Sequence, residues 1–261
     1  RRSHYLGPKG SGKSALFIQL DRLIFETGFK TTQVLKVTPD HYAWNALAQY
    51  QEQGLLPEQA HTNAWKFTIA IEVAGALADV SNDLLSDEDA RAARSQLARF
   101  IKENYGDKDP TLFSTASRLV RGIRSFNLQA FGFGAGLERA DQEQSLTPLI
   151  IKSLLELIAA VASNVGVVVA LDRLDDSWDG SEKSRNLLIG LLKVTKEIND
   201  CFSGGDPAAG LAVLVFLRSD IYEGLRFDDK DKHRAAEELI AWNPELLKEM
   251  INERLPDGIE A

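Results

Sequence analysis

The chain has 261 residues, of which 44% are hydrophobic and 26% are charged, and its formal net charge is −8 at pH 7. This composition is ordinary for a soluble globular protein and excludes the disordered and fibrous classes. The net negative charge argues against a domain whose main role is to bind nucleic acid along its surface, although a local stripe of basic residues is still compatible with it.

The sequence contains one cysteine, Cys201, which excludes an internal disulfide. We expect it to be a small buried side chain at a helix end. Because the sequence shows neither a signal peptide nor a long uncharged apolar run, we expect a cytoplasmic protein without a membrane partner. It begins at Arg1 and reaches its first motif within a few residues, so we expect either a domain of a longer protein or a chain whose ends are not observed.

The first motif is a glycine-rich stretch between a predicted strand, residues 4–6, and a predicted helix, residues 15–25. It fits the phosphate-binding pattern G-x-x-x-x-G-K-[ST] at every fixed position, and strand, loop and helix in this order are the context that the pattern requires. Backbone N–H groups of such a loop surround phosphate oxygens at a helix N-terminus. The predicted nucleotide-binding residues are Gly7, Pro8, Lys9, Gly10, Ser11, Gly12, Lys13 and Ser14.

Two residues of this loop have individual predicted roles. Lys13 is expected to contact the β- and γ-phosphates, and the Ser14 hydroxyl is expected to occupy one Mg²⁺ position. The predicted ligand is therefore a nucleotide, with ATP and Mg²⁺ preferred. The alternative is an accidental match, which composition allows about once in a hundred chains of this length.

The next part of the chain predicts a second strand at residues 31–38 and helices over residues 42–105. No chemistry is visible in these helices, and we expect their aromatic residues in the core. A further helix carries three arginines at three-residue spacing, which places them along one face. We interpret this row as a solvated face rather than a contact to phosphates or to a partner. The three residues are Arg118, Arg121 and Arg124.

Residues 125–140 alternate in polarity and contain several glycines, which predicts a small hairpin or a flap. After another helix, residues 165–171 form a continuous apolar run that is typical of a parallel strand buried on both faces, and the run ends at Asp172. In a chain with a phosphate loop, an acid at this place is the Walker B aspartate that organises Mg²⁺. Ser14 and Asp172 are therefore the predicted metal ligands.

The residue that orients the attacking water is not fixed by the sequence. Many P-loop ATPases have a second acid directly after the Walker B aspartate, but Arg173 occupies that position here. Either Asp175 or Asp176 orients the water from the following turn, or the domain binds ATP and hydrolyses it slowly. Helix capping and surface charge are an equal alternative for both aspartates.

The last third of the chain predicts an amphipathic helix at residues 181–200 and a buried strand at residues 210–217 that ends at Arg218. If this strand lies between the two strands that carry the motifs, Arg218 faces the γ-phosphate and is the predicted sensor. A structural salt bridge to a neighbouring acid is the alternative. Residues 239–242 predict a short last strand, and residues 243–261 predict the start of a helical lid.

Four blocks together resemble a group of bacterial P-loop ATPases similar to the STAND and KAP branches, which are relatives of AAA+ proteins. The blocks are residues 7–14, 171–178, 216–221 and 242–255. Only the first block is specific by itself, and the order of the four carries the match over nearly the whole chain. Members of these branches use nucleotide state to switch assembly or to gate a fused effector, often in signalling or anti-phage defence.

The resemblance implies an α/β fold of the P-loop NTPase type, a three-layer sandwich whose mainly parallel five-stranded sheet has the order 5-1-4-3-2. Residues 1–242 would form the core, with a helical insertion at about 41–124 and the hairpin or flap at about 125–140, and residues 243–261 would begin the lid. The predicted catalytic residues are Lys13, Asp175, Asp176 and Arg218.

Two functions fit this assignment: a regulatory ATPase that turns over to reset a switch, and a nucleotide-gated scaffold with little hydrolysis. The expected partners are the nucleotide and either a second copy of the chain or a fused or associated effector. A small-molecule kinase or a GTPase is disfavoured, because the sequence has no arginine-rich phosphate lid in a kinase's place and no N-K-x-D motif.

Overall fold

The computed structural model describes residues 2–51, 55–106, 110–120, 146–203 and 209–242. The strands are β1 (His4–Gly7), β2 (Gln33–Val37), β3 (Val167–Leu171), β4 (Leu211–Arg218) and β5 (Glu237–Leu239). The helices are α1 (Lys13–Glu26), α2 (His41–Ala48), α3 (Pro57–Ala78), α4 (Glu88–Tyr105), α5 (Leu112–Val120), α6 (Leu146–Ala162), α7 (Glu182–Cys201), α8 (Ser219–Gly224) and α9 (Lys230–His233). None of these helices is long and apolar enough to cross a membrane.

The five strands form one parallel sheet in the order β2-β3-β4-β1-β5. Read from the opposite edge, the same list is 5-1-4-3-2. Strand β4 lies between β1 and β3, and Gly7 at the end of β1 pairs with Arg218 at the end of β4. Because parallel strands end at one edge of a sheet, the segments that follow β1, β3 and β4 are neighbours. The expectation of an α/β fold with a five-stranded parallel sheet is confirmed.

Helices cover both faces of the sheet. Val169 and Val213 face a large core that also contains residues of α2, α3, α4, α6 and α7. Ala170 of β3 and Phe216 of β4 point the other way, into a smaller core to which Phe17 of α1 belongs. This alternation follows from the two-residue period of a strand. Both sides of β3 and β4 are therefore buried, which explains their continuous apolar sequences.

The helices between β2 and β3 share the large core with the sheet. Trp65 and Phe67 of α3 are fully buried, and α3 packs against α4, α6 and α7. Gly190 of α7 permits close approach of α3, because a Cβ there would lie 2.9 Å from the backbone nitrogen of Thr62. The expectation that the aromatic residues of this region belong to the core is confirmed for Trp65 and Phe67 but is wrong for Tyr42, which is 73% exposed.

Three details differ from the sequence predictions. Cys201, the last residue of α7, is exposed, whereas the next residue, Phe202, packs against the core. The last strand occupies Glu237–Leu239 rather than residues 239–242, because the chain leaves the sheet after Ile240 donates its N–H to the carbonyl of Leu6. Arg118 is not on a solvated face, since it donates to the carbonyl of Asn104 and lies over the ring of Tyr105. Arg121, Arg124, the expected flap and the expected lid lie outside the described residues.

A buried pair of histidines lies at the amino end of β1. His4 is fully buried and stacks on His233 of α9, with ring centroids 5.3 Å apart. Burial lowers the pKa of His4 to about 3, and His233 acts in the same direction. Burial also lowers the pKa values of His61 and His233. The folded protein therefore holds these imidazoles neutral at pH 7.

We expect the protein to lose stability as the pH falls below about 6.5, because the unfolded chain then binds protons that the folded His4 does not accept until about pH 3. Between pH 7.5 and 5.5, His4 alone should lower the unfolding free energy by about 1.4 kcal/mol. Urea unfolding at the two pH values measures this loss. His4→Phe should reduce the loss, and exposed His41→Asn should retain it. Equal pH dependence in His4→Phe and the wild type would contradict the assignment.

Candidate functional site

A cavity of about 300 Å³ lies at the carboxyl edge of the sheet. Residues 9–15 line it together with Asp172, Asp175 and Arg218. These residues come from the loop after β1 and from the ends of β3 and β4, so the structure brings together the three sequence motifs. Asp176 is not among the lining residues.

The loop enters α1 through glycines with positive φ angles. Gly10 has φ 84° and Gly12 has φ 95°, a region that residues with a Cβ rarely adopt. Gly12 is also the N-cap of α1, and among the described residues no side chain caps this helix end. Free N–H groups at a helix N-terminus favour a bound anion. The beginning of α1 is therefore suited to a phosphate group.

Gly7 lies where this loop packs against the segment after β5. A Cβ at position 7 would lie 2.4 Å from the carbonyl oxygen of Ile240 and 2.4 Å from the hydroxyl oxygen of Ser11. The Ile240 carbonyl belongs to the backbone that continues the pairing of β5 with β1, so it cannot move freely. A side chain at this position would displace the loop, the strand end or both.

We expect Gly7→Ala to lower the unfolding free energy by about 1–3 kcal/mol, as for other overpacked positions. Urea unfolding measures the change. Gly224→Ala is the matched control, because a Cβ at that position meets nothing within 4 Å. Equal stability of the two variants would contradict the close packing at Gly7.

The ammonium group of Lys13 is held by its own loop. It donates to the carbonyl oxygens of Gly7 and Pro8, each at 2.9 Å. Partial burial lowers the pKa of Lys13, while the nearby carboxylates of Asp175 and Asp172 act in the opposite direction. Hydrogen bonds from an ammonium to charged phosphate oxygens are stronger than those to neutral carbonyls. A phosphate group in the cavity would therefore compete well for Lys13.

Asp172 is a buried carboxylate with an unsatisfied oxygen. The residue is 4% exposed, and its Oδ2 has no hydrogen-bond partner among the described residues. Such an atom is costly unless a ligand or an ion satisfies it. Mg²⁺ is usually held by one or two protein ligands together with phosphate oxygens and water, and Ser14 lines the same cavity. The two residues fit the requirements of Mg²⁺.

A larger metal cluster is not present in the part of the chain that the structure describes, where no group of three or more His, Cys, Asp or Glu side chains is arranged to hold a metal ion.

The structure separates the two aspartates that the sequence left as alternatives. Asp175 lines the cavity, and its Oδ2 lies 3.7 Å from an Nη atom of Arg218. The carboxylate of Asp176 instead pairs with Arg173 at 2.8 Å. Arg173 has φ 62°, and its side chain is directed to the surface. The position directly after Asp172 therefore does not contribute to the cavity, whereas Asp175 does.

Arg218 has a partner that the sequence analysis did not select. Its Nε and one Nη atom donate to the two carboxylate oxygens of Asp220 at 3.0 and 2.6 Å. This hydrogen bonding lowers the pKa of Asp220. The salt bridge considered as the alternative role of Arg218 is thus present, although Arg218 also lines the cavity. The available signal was the i,i+2 spacing of the two charges where β4 passes into α8.

Comparisons with known proteins give one distant similarity. No family model matches the chain, and no solved structure matches it significantly. The chain is 23% identical over 253 residues to an Escherichia coli (strain K12) protein described as "Putative transposon gamma-delta 80.3 kDa protein". The match covers 90% of this chain and 32% of that protein, so the chain spans about a third of the length of its relative.

Proposed function

We propose that this chain is a regulatory domain of the P-loop NTPase type that binds ATP with Mg²⁺ and hydrolyses it. One observation carries the proposal: a single cavity is lined by Lys13 and Ser14 of the phosphate loop, by the unsatisfied carboxylate of Asp172 and by the guanidinium of Arg218. A triphosphate and one Mg²⁺ would satisfy each of these groups.

The binding roles follow from the contacts in the cavity. The N–H groups of residues 9–15 and the first turn of α1 would surround the phosphates, and Lys13 would exchange its loop carbonyls for phosphate oxygens. Ser14 and Asp172 would hold Mg²⁺, which neutralises phosphate charge when it is bound. Arg218 would contact the terminal phosphate.

Hydrolysis requires a group that orients the attacking water. We assign this role to Asp175 rather than to Asp176, because only Asp175 of the two lines the cavity. In the structure Asp175 lies near Arg218. If Arg218 moved toward a terminal phosphate, the carboxylate of Asp175 would be free to accept a hydrogen bond from water. Positioning of this kind supplies much of the catalysis in phosphoryl transfer.

The regulatory part of the proposal is supported by the resemblance to nucleotide-driven switch domains. A regulatory role is also compatible with the match to about a third of a longer E. coli protein. A switch domain acts on another domain of the same chain or on a protein that is assembled with it. The partner would be a second copy of the chain or an effector. A nucleotide-gated scaffold with little turnover is the second candidate, favoured by Arg173 in the position of the usual second acid and by the Arg218–Asp220 pair.

The binding assignment predicts that Lys13→Ala weakens ATP–Mg²⁺ binding by about tenfold or more, because the charge opposite the β- and γ-phosphates is lost. Titration calorimetry measures the affinity. Lys102→Ala removes the same charge from an exposed position on α4 and should bind ATP as the wild type does. Unchanged affinity in Lys13→Ala would remove the phosphate-loop assignment.

The catalytic assignment predicts that Asp175→Asn slows steady-state phosphate release by about tenfold or more and changes ATP affinity little, as expected for a group that acts in the transition state. Asp176→Asn should have a clearly smaller effect, because its carboxylate pairs with Arg173. Phosphate release and ATP binding are measured in parallel. Wild-type release at the level of Lys13→Ala would favour the scaffold, whereas equal losses in both aspartate variants would contradict the choice of Asp175.

A further inference from the structure

The described residues that line the cavity at the phosphate loop offer little apolar surface to a nucleobase. Apart from Ala15, its lining residues are glycines or carry polar or charged side chains. Pockets that bind the organic part of a ligand are lined mainly by apolar and aromatic groups. The cavity is therefore suited to the phosphates alone, and the base of a nucleotide has to lie beside it.

The strand order determines on which side the base lies. Asp172, Asp175 and Arg218 follow β3 and β4, which lie on one side of β1. These groups would attract Mg²⁺ and the terminal phosphate. Strand β5 lies on the other side of β1. A nucleotide whose phosphates occupy the loop therefore points its nucleoside toward the end of β5.

An aromatic side chain is present at that end. Trp242 follows β5, and its indole N–H donates to the carbonyl oxygen of Gly10 at 3.2 Å. A Cβ on Gly12 would lie 3.4 Å from the six-membered ring of the indole, so the ring is in contact with the loop. Trp242 nevertheless remains 42% exposed. By contrast, Trp44 and Trp65 are buried in the core.

We propose that Trp242 is the platform on which the base of the bound nucleotide stacks. The inference rests on the proposed nucleotide site and adds the residue that recognises the nucleoside. Every nucleobase has a π-face, so stacking on an indole stabilises the bound base without selecting strongly among bases. The hydrogen bond to Gly10 orients the indole next to the phosphates. Trp242 thus contributes to the affinity for a nucleotide and not to the affinity for phosphates alone.

The test compares ATP with inorganic tripolyphosphate, each with Mg²⁺, by titration calorimetry. Tripolyphosphate has the phosphates of ATP without the nucleoside. Trp242→Ala should weaken ATP binding roughly 5- to 150-fold and leave tripolyphosphate binding unchanged. Trp242→Phe should retain most of the ATP affinity, because it keeps an aromatic face and loses only the hydrogen bond to Gly10.

Two control variants show how a residue outside the site and a residue that contacts phosphate behave in the same experiment. Phe25→Ala removes another exposed aromatic side chain, from α1, and should bind both ligands as the wild type does. Lys13→Ala should weaken both ligands, because its contact is with phosphate. Indole fluorescence gives a second readout: ATP should change the emission of the wild type more than that of Trp242→Phe, and tripolyphosphate should produce no such difference.

The outcomes separate this inference from the proposed function. Wild-type protein that binds ATP, with Trp242→Ala binding it equally well, overturns the platform and leaves the phosphate site intact. Equal weakening of ATP and tripolyphosphate in Trp242→Ala also overturns the platform, because the indole then acts only as a support for the loop. Wild-type protein that binds neither ligand overturns the proposed function and the platform with it.

Discussion

The parallel pairing of β1 with β4 is the constraint on which the site depends. It places Gly7 opposite Arg218, so the phosphate loop and the guanidinium leave the sheet side by side. The two cores fix the register between these strands. A slip of one residue would turn the side chains of β4 to the opposite faces of the sheet, and Phe216 would lose its contact with Phe17. Apolar packing outside the cavity therefore sets the positions of its charged groups.

The parts of the site that could be predicted from the sequence have local signals. The phosphate loop has fixed residue types at fixed spacings, and β3 and β4 are uninterrupted apolar runs that end in a charged residue. These signals were sufficient to assign Lys13, Asp172 and Arg218 to one edge of the sheet. The last strand was less accurately predicted because β5 is a short edge strand with two glutamates and little apolar character.

The remaining details depend on conformation and on distant contacts. The choice between Asp175 and Asp176 depends on the conformation of the turn after β3, where Arg173 has a left-handed backbone that the sequence pattern does not mark. Trp242 contacts Gly10 across 232 positions of sequence, and this contact arises only because β5 pairs with β1. A contact of this kind cannot be predicted from the local pattern of either segment, although both residues belong to segments that carry a sequence motif.

The charges of the cavity differ in how easily they exchange partners. The Arg218–Asp220 pair is partly exposed, with 32% and 61% of the two side chains accessible, so solvent weakens the attraction between the two charges. In the proposed function, a terminal phosphate carries more negative charge than a carboxylate and would compete with Asp220 for Arg218. Asp172 is buried and cannot relax in this way. In the proposed function, the fixed carboxylate would hold the metal and the exchangeable cation would contact the terminal phosphate, an arrangement that would distinguish a nucleoside triphosphate from a diphosphate.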